Sequence, residues 1–249
     1  FKSQTVRLGL WFPSKYLILH KNKVGIFFAL LHYMRRRTPR AKEIAHITLR
    51  CNNKAFLFNL RHNFHDIVSW INVLPCLFSV TLHHCMFMSN HIHLLLTPTK
   101  DNMGDAMCYL VTNLSKYLNY KNNRVNHNFG GSYSSTIINN EKHLINVIRY
   151  IYQNPVNANI VADTTQYPYS SLGTYLGTNN PRIIIEPDSL TKTMFSSGLN
   201  GIYQWLDWVC KTLTDVDIEI LKKSLTRGHF KYSIEQLKLV ASSSTTIQI

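Results

Sequence analysis

Two histidines spaced by two, His91 and His93, interrupt an apolar run in Met88-Ser-Asn-His-Ile-His-Leu-Leu-Leu-Thr-Pro98. In a strand, side chains at i and i+2 leave the same face. Both imidazoles therefore point one way, and Ile92 points into the opposite layer. Two imidazoles on a rigid strand are two-thirds of a metal site, and the rest of the chain has to supply a third ligand. Leu144-Ile-Asn-Val-Ile-Arg-Tyr-Ile-Tyr-Gln-Asn-Pro155 can do so. Leu144, Val147, Ile148 and Ile151 form a buried helical stripe, and Asn146, Tyr150 and Asn154 share the adjacent face at i, i+4 and i+8. Set against the histidine strand, Asn154 adds an amide oxygen to two imidazole nitrogens. That mixed donor set suits Mg²⁺ or Mn²⁺ better than a structural zinc.

Tyr150 lies one turn from Asn154, where a phenol could attack a phosphate. A phosphodiester is anionic and repels nucleophiles, so a cation on a non-bridging oxygen is needed to stabilise the crowded transition state. A phenol with an ordinary pKa of about 10 must lose its proton during attack. The product, a phosphotyrosine ester, stores the bond for rejoining rather than hydrolysing it. Each part alone has a structural explanation: an HxH pair inside a sheet, a tyrosine at a core edge, an asparagine at a helix stop. Their joint occurrence in a basic chain is what favours chemistry.

The elements that must position these groups can be read from pattern. Ala45 to Cys51 alternates as a first strand, and Asn52-Asn53-Lys54 reads as a turn. Leu57, Leu60, Phe64, Ile67, Val68 and Ile71 recur at helical spacing from Phe56 to Leu74, with Pro75 as the expected end. Ser79 to Met88 is a second strand, and the short Ser89-Asn90 turn predicts its antiparallel pairing with the histidine strand. A helix follows from Asp101 to Asn122, then a loop over 126–131 and a last strand from Tyr133 to Ile138. A third helix runs from Glu141 to Asn154, with Pro155 expected to stop it. Beyond Tyr167-Pro-Tyr-Ser-Ser171, residues 181–187 read as extended, 199–212, 215–225 and 233–240 as helical, and 242–249 as a loose tail. The helix pair across Gly228 reads as a packing appendage rather than a helix-turn-helix. The organisation expected is a basic N-terminal extension over 1–40, with the domain proper beginning near Met34 or soon after, a catalytic domain over 41–177, and a helical appendage over 178–249.

Among the 249 residues, 27 lysines and arginines against 13 acidic residues give a formal net charge of +14. Such an unbalanced field favours a polyanionic partner. Candidate contacts are Arg35, Arg36 and Arg37, with Arg50, Lys116, Lys121, Arg124 and Arg149. The interleaving of Tyr117, Tyr120, Phe129 and Tyr133 among such cations suits base stacking on single strands. Five dispersed cysteines without a CxxC pair point to reduced thiols. No apolar run reaches the roughly 18–20 residues of a membrane span. His83, His84 and Cys85 are adjacent in a strand, face alternate sides and read as structural.

Met88-Ser-Asn-His-Ile-His-Leu-Leu-Leu resembles the HUH motif of single-tyrosine transposases. Arg149-Tyr-Ile-Tyr-Gln-Asn-Pro-Val-Asn-Ala-Asn-Ile-Val161 resembles their tyrosine helix, in the branch of REP-associated tyrosine transposases. Arg124-Val-Asn-His-Asn-Phe-Gly-Gly-Ser-Tyr133 and Tyr167-Pro-Tyr-Ser-Ser171 resemble two further stretches of that family, in the same order over about residues 41–177. The resemblance implies an α+β, ferredoxin-like (RRM-like) antiparallel sheet with the HUH pair on a central strand. It implies cleavage and rejoining of single-stranded, hairpin-forming DNA through a 5′-phosphotyrosine, with Mg²⁺ or Mn²⁺. By position, His91, His93 and Asn154 would be metal ligands and Tyr150 the nucleophile, while Tyr152 points away. A cytoplasmic, nucleoid-associated protein acting as monomer or homodimer is the setting implied. Where relatives commonly carry an arginine before the aromatic closing the double-glycine stretch, this chain has Ser132, which weakens the expected backbone contact. Two other classes stay open: a DNA-binding protein that no longer cuts, and a metal-dependent nuclease that uses water.

Overall fold

In the computed structural model, residues 38–125, 127–131, 133–178 and 181–225 are described, all within one compact unit, Arg36–Ile249. Arg35, Arg36, Arg37, Ser132, Gly228 and the expected helix over 233–240 lie outside the described residues. Four strands, β1 (Ala45–Arg50), β2 (Val80–Met88), β3 (His91–Pro98) and β4 (Ser134–Ile137), form one sheet in the order β2-β3-β1-β4. Every neighbouring pair is antiparallel. Helix α1 (Leu60–Phe78) connects β1 to β2, and α2 (Met103–Lys121) connects β3 to β4. The order is thus β-α-β-β-α-β, with β3 in the interior of the sheet.

Alternation in the strands sorts the two faces. Ile47, Leu49, Ile92, Leu94 and Leu96 are buried with Ile67 and Ile71 of α1 and Leu110 and Leu114 of α2. Each such aliphatic side chain taken from water contributes roughly 1.5–3 kcal/mol. The opposite face is covered by α3 (Glu141–Asn157), which buries Leu144, Val147, Ile148 and Ile151 against Met86 and Leu95. After the short α4 (Leu172–Tyr175) come α5 (Ser189–Ser196), α6 (Gly198–Cys210) and α7 (Asp215–Leu225). Trp205 and Val209 of α6 and Leu221 of α7 complete this second core. Residues after 177 are not set apart from the rest: Ile183 is fully buried in the first core, and Asp188 bonds to His84 of β2.

Both prolines expected to end helices lie inside them, Pro75 in α1 and Pro155 in α3. Each sits in the last turn, where the missing N–H removes one bond and little helix remains to be broken. Ser79, in a left-handed conformation with φ of 50°, closes α1 instead. Helix α1 starts at Leu60 rather than Phe56, because Ala55 to Asn59 runs as coil beside Ser89 and Asn90, with Phe58 N–H donating to Ser89 O at 3.0 Å. Helix α5 has no counterpart in the sequence pattern. It is short, and Asp188 caps it by accepting from Leu190 N–H and Thr191 N–H. Gly201 is required for the approach of α6 to α5, since a Cβ there would lie 1.8 Å from Met194 O.

Candidate metal and nucleophile cleft

His46, Thr48 and Arg50 of β1 face the same side as His91 and His93 of β3, because the register pairs Thr48 with His93 and Arg50 with His91. The hydrogen bonds of His91 fix which of its nitrogens carries the proton, and those of His93 occupy its Nδ1. His91 Nδ1 lies 2.6 Å from Asn90 Oδ1, an acceptor only, so Nδ1 carries the proton. The orientation of that amide is set by its Nδ2, which donates to Lys54 O at 3.3 Å. His93 Nδ1 meets His46 Nε2 at 2.9 Å and Thr48 Oγ1 at 3.3 Å. In both rings the remaining atom, Nε2, is buried and has no hydrogen-bond partner. A neutral imidazole donating through Nδ1 presents a lone pair at Nε2.

Burial keeps these rings neutral. It pushes His91 down to about 4, with the charge of Arg50 acting in the same direction and Asn154 opposing. His93 is held well below the usual histidine range, by burial first and then by His91, His46 and Arg50, with Asn154 opposing. Burial also pushes His46 down to about 3, aided by His91.

Tyr150 and Asn154 of α3 meet this pair. The Tyr150 ring stands edge-on to His93 with centroids 5.7 Å apart, and to His46 at 6.4 Å. Asn154 Nδ2 donates to Tyr150 O at 2.9 Å, which leaves the amide oxygen as the acceptor. The Asn154 side chain interacts with His91, His93 and Tyr150 alike. Burial raises the Tyr150 phenol above its ordinary value, against the lowering charge of Arg50 and the bond to Asn154.

These groups open onto a cleft of about 860 Å³. Arg50, Lys54 and Lys222 line it, as do Gly130 and Gly131, and among the described residues no carboxylate does. Cations without counter-carboxylates, beside neutral nitrogen donors, make a place for an anionic group. Two orphaned Nε2 atoms next to an amide oxygen also fit a divalent cation with open positions. Among the described residues, no three His, Cys, Asp or Glu side chains form a metal-holding group, so the donor set is not that of a closed zinc cage.

The other expected contacts fall elsewhere. Lys116, Lys121 and Arg124 are exposed and do not line the cleft. The first two belong to α2, which packs on the opposite face of the sheet. Lys121 pairs with Asp66 at 3.6 Å and lies over the Tyr117 ring. Arg149 donates to Lys211 O and Thr212 O at 2.8 and 2.7 Å, holding α3 to the turn before α7. Tyr133 lines the cleft, whereas Phe129 is buried and Tyr117 donates to Asp66. His83 bonds Glu186 O and Thr97 Oγ1, and Cys85 is fully buried with its thiol pushed up to about 12 by burial. Three imidazole or basic groups of the cleft, His46, Lys54 and Lys222, went unread in the sequence. His46 was legible in the polar alternation His46, Thr48, Arg50. Lys222 had no signal, since nothing in its helix tells which face of the sheet it reaches.

No family model matches the chain, and no curated protein does. Among solved structures it is similar to one described as "Structure of the REP associates tyrosine transposase bound to a REP hairpin". The identity is 16%, the alignment covers 57% of this chain and 84% of that chain, and the TM-score is 0.49. At these values function has to be read from the cleft's own atoms. No helix of the described residues is long and apolar enough to cross a membrane.

Proposed function

We propose that the protein is a metal-dependent strand transferase that cleaves and rejoins single-stranded or hairpin DNA through Tyr150. What carries the reading is one arrangement: a tyrosine beside two neutral imidazoles whose buried Nε2 atoms have no partner. The cationic lining of the cleft and the net charge of +14 favour a polyanionic substrate. The β-α-β-β-α-β order is that of a ferredoxin-like fold, and the likeness of Met88–Leu96 and Arg149–Val161 to the HUH motif and tyrosine helix supports the same assignment.

His91, His93 and Asn154 would hold Mg²⁺ or Mn²⁺. When bound, such a cation withdraws charge from a non-bridging phosphate oxygen. Arg50, Lys54 and Lys222 hold the flanking phosphates. The Tyr150 oxygen attacks phosphorus and forms an O–P bond as its proton leaves to solvent. The P–O3′ bond breaks, and the departing 3′ oxygen takes up a proton. The strand downstream of the break stays on the enzyme through its 5′-phosphate as a phosphotyrosine, and a 3′-hydroxyl attacking that ester reverses the step and rejoins DNA. Arg50 favours the ionised phenol, which offsets part of the effect of burial.

The test is product chemistry. Incubation with end-labelled hairpin DNA and Mn²⁺ is expected to leave the strand 3′ of the break on the protein through its 5′-phosphate, to release the other strand with a 3′-hydroxyl, and Tyr150→Phe to yield no break. Cleavage that survives Tyr150→Phe with no protein-linked strand would identify a water-using nuclease. Binding without a break would leave a DNA-binding protein.

A further inference from the structure

The second tyrosine of α3 takes no part in the cleft. Tyr152 is fully buried, two residues from Tyr150 and so roughly 200° round the helix. Its hydroxyl lies 2.8 Å from His84 Nδ1 and 2.8 Å from Ser171 Oγ. Ser171 Oγ accepts from Cys85 N–H at 2.9 Å. On the other edge of the imidazole, His84 Nε2 lies 2.8 Å from Asp188 Oδ2, and neither side chain is exposed. The Asp188 carboxylate also accepts from Leu190 N–H at 3.0 Å, Thr191 N–H at 3.2 Å and Thr191 Oγ1 at 2.7 Å. One unbroken chain of hydrogen bonds thus joins β2, α3, the Ser171 turn and the start of α5.

We propose that the Asp188–His84–Tyr152–Ser171 chain is a positioning device that fixes the rotation of α3 and so aims Tyr150 and Asn154 at the imidazole pair. It rests on the reading of Tyr150 as nucleophile. An apolar stripe resists separation from a sheet but tolerates small rotations, because dispersion and burial have no direction. A buried hydroxyl with two partners does have one, and losing either partner leaves a polar group unsatisfied. The lever is short. A rotation of roughly 10° moves a group at a side-chain radius of about 5–6 Å by about 1 Å, and a misplacement of about 1 Å can cost about 100-fold in rate. Neighbouring bonds act with the device: Gln153 Nε2 donates to Val209 O and Cys210 O, and Arg149 to Lys211 O and Thr212 O. The segment from Asp188 to Thr212 therefore belongs to the architecture of the cleft although only α7, beyond it, lines the cleft.

The experiment uses the full chain with 3-fluorotyrosine at position 150, read by fluorine NMR at a temperature where all variants are folded. Tyr152→Phe and His84→Gln break the chain. Tyr117→Phe, which removes the bond to Asp66 on the opposite face, controls for general destabilisation. The Tyr150 resonance is expected to shift or broaden in both chain-breaking variants and to stay put in Tyr117→Phe. Adduct formation with hairpin DNA is expected to slow roughly 10- to 100-fold in Tyr152→Phe, with DNA affinity within about twofold of wild type. A resonance unmoved in Tyr152→Phe, or an equal slowing in Tyr117→Phe, would overturn the proposal. Should the wild type form no adduct, the nucleophile reading fails, and the resonance alone still decides whether Tyr152 positions its neighbour.

Discussion

The placement of the cations makes a sharp prediction about where DNA binds. Arg50, Lys54 and Lys222 line the cleft, while Lys116, Lys121 and Arg124 do not. Each phosphate neutralised on a single strand contributes a salt slope of about −0.7 in log K against log salt, so three cations give about −2. Raising salt fourfold, from about 50 to about 200 mM, should then weaken the cleft's contribution roughly 20-fold, and only roughly 7-fold after one cation is removed. The perturbation is Arg50→Gln, set beside a combined Lys116→Gln, Lys121→Gln, Arg124→Gln variant, with fluorescence anisotropy of a labelled hairpin as the assay. Arg50→Gln is expected to flatten the slope by about 0.7–1, and the combined variant to leave it within error of wild type. Arg50→Gln should also slow the covalent step beyond its effect on binding, because the guanidinium lowers the Tyr150 phenol. A slope that collapses in the combined variant and holds in Arg50→Gln would place the DNA on the α2 face and refute the reasoning.

Three further outcomes follow from the same geometry. His93→Ala removes one of the two orphaned Nε2 donors, and titration calorimetry with Mn²⁺ should show binding lost. His46→Leu removes only the partner that orients His93 and should weaken Mn²⁺ by roughly 10- to 100-fold, the usual cost of an outer-shell partner. Acid stability should carry the mark of Asp188. Burial alone would raise its carboxyl, but the bonds and charge of His84 and the bonds from Thr191 hold it below the usual range. A carboxyl depressed on folding contributes stability that is complete above its unfolded value of about 3.9 and is lost as pH falls further. Thermal melts of wild type should therefore fall more steeply below about pH 4 than those of Asp188→Asn, and parallel curves would show the carboxylate to be neutral in the balance.

The fold was legible where period and polarity agreed. The HxH pair had to share a strand face, and Tyr150 and Asn154 had to share a helix face, because those spacings are set by backbone geometry. The turn at Ser89-Asn90 was short enough to force β2 against β3. Pro75 and Pro155 misled because a proline in a last turn forfeits a single bond. Helix α5 carried too few apolar residues to show a period, and its start is set by a cap at Asp188 whose other partner, His84, is distant in sequence. The same distance hid the role of Tyr152, which on its own helix is indistinguishable from any buried aromatic. Of the basic residues that share the cleft only Arg50 was named from the sequence, since charge carries no period and the facing of α7 on the sheet is a tertiary outcome.

The most direct measurement is the site of the covalent bond. After reaction with hairpin DNA and Mn²⁺ followed by nuclease trimming, peptide mass spectrometry should find a nucleotide 5′-phosphate on the oxygen of Tyr150 and on no other residue. A nucleotide carried by Tyr152 or another side chain, or cleaved DNA with every tyrosine unmodified, would contradict the account.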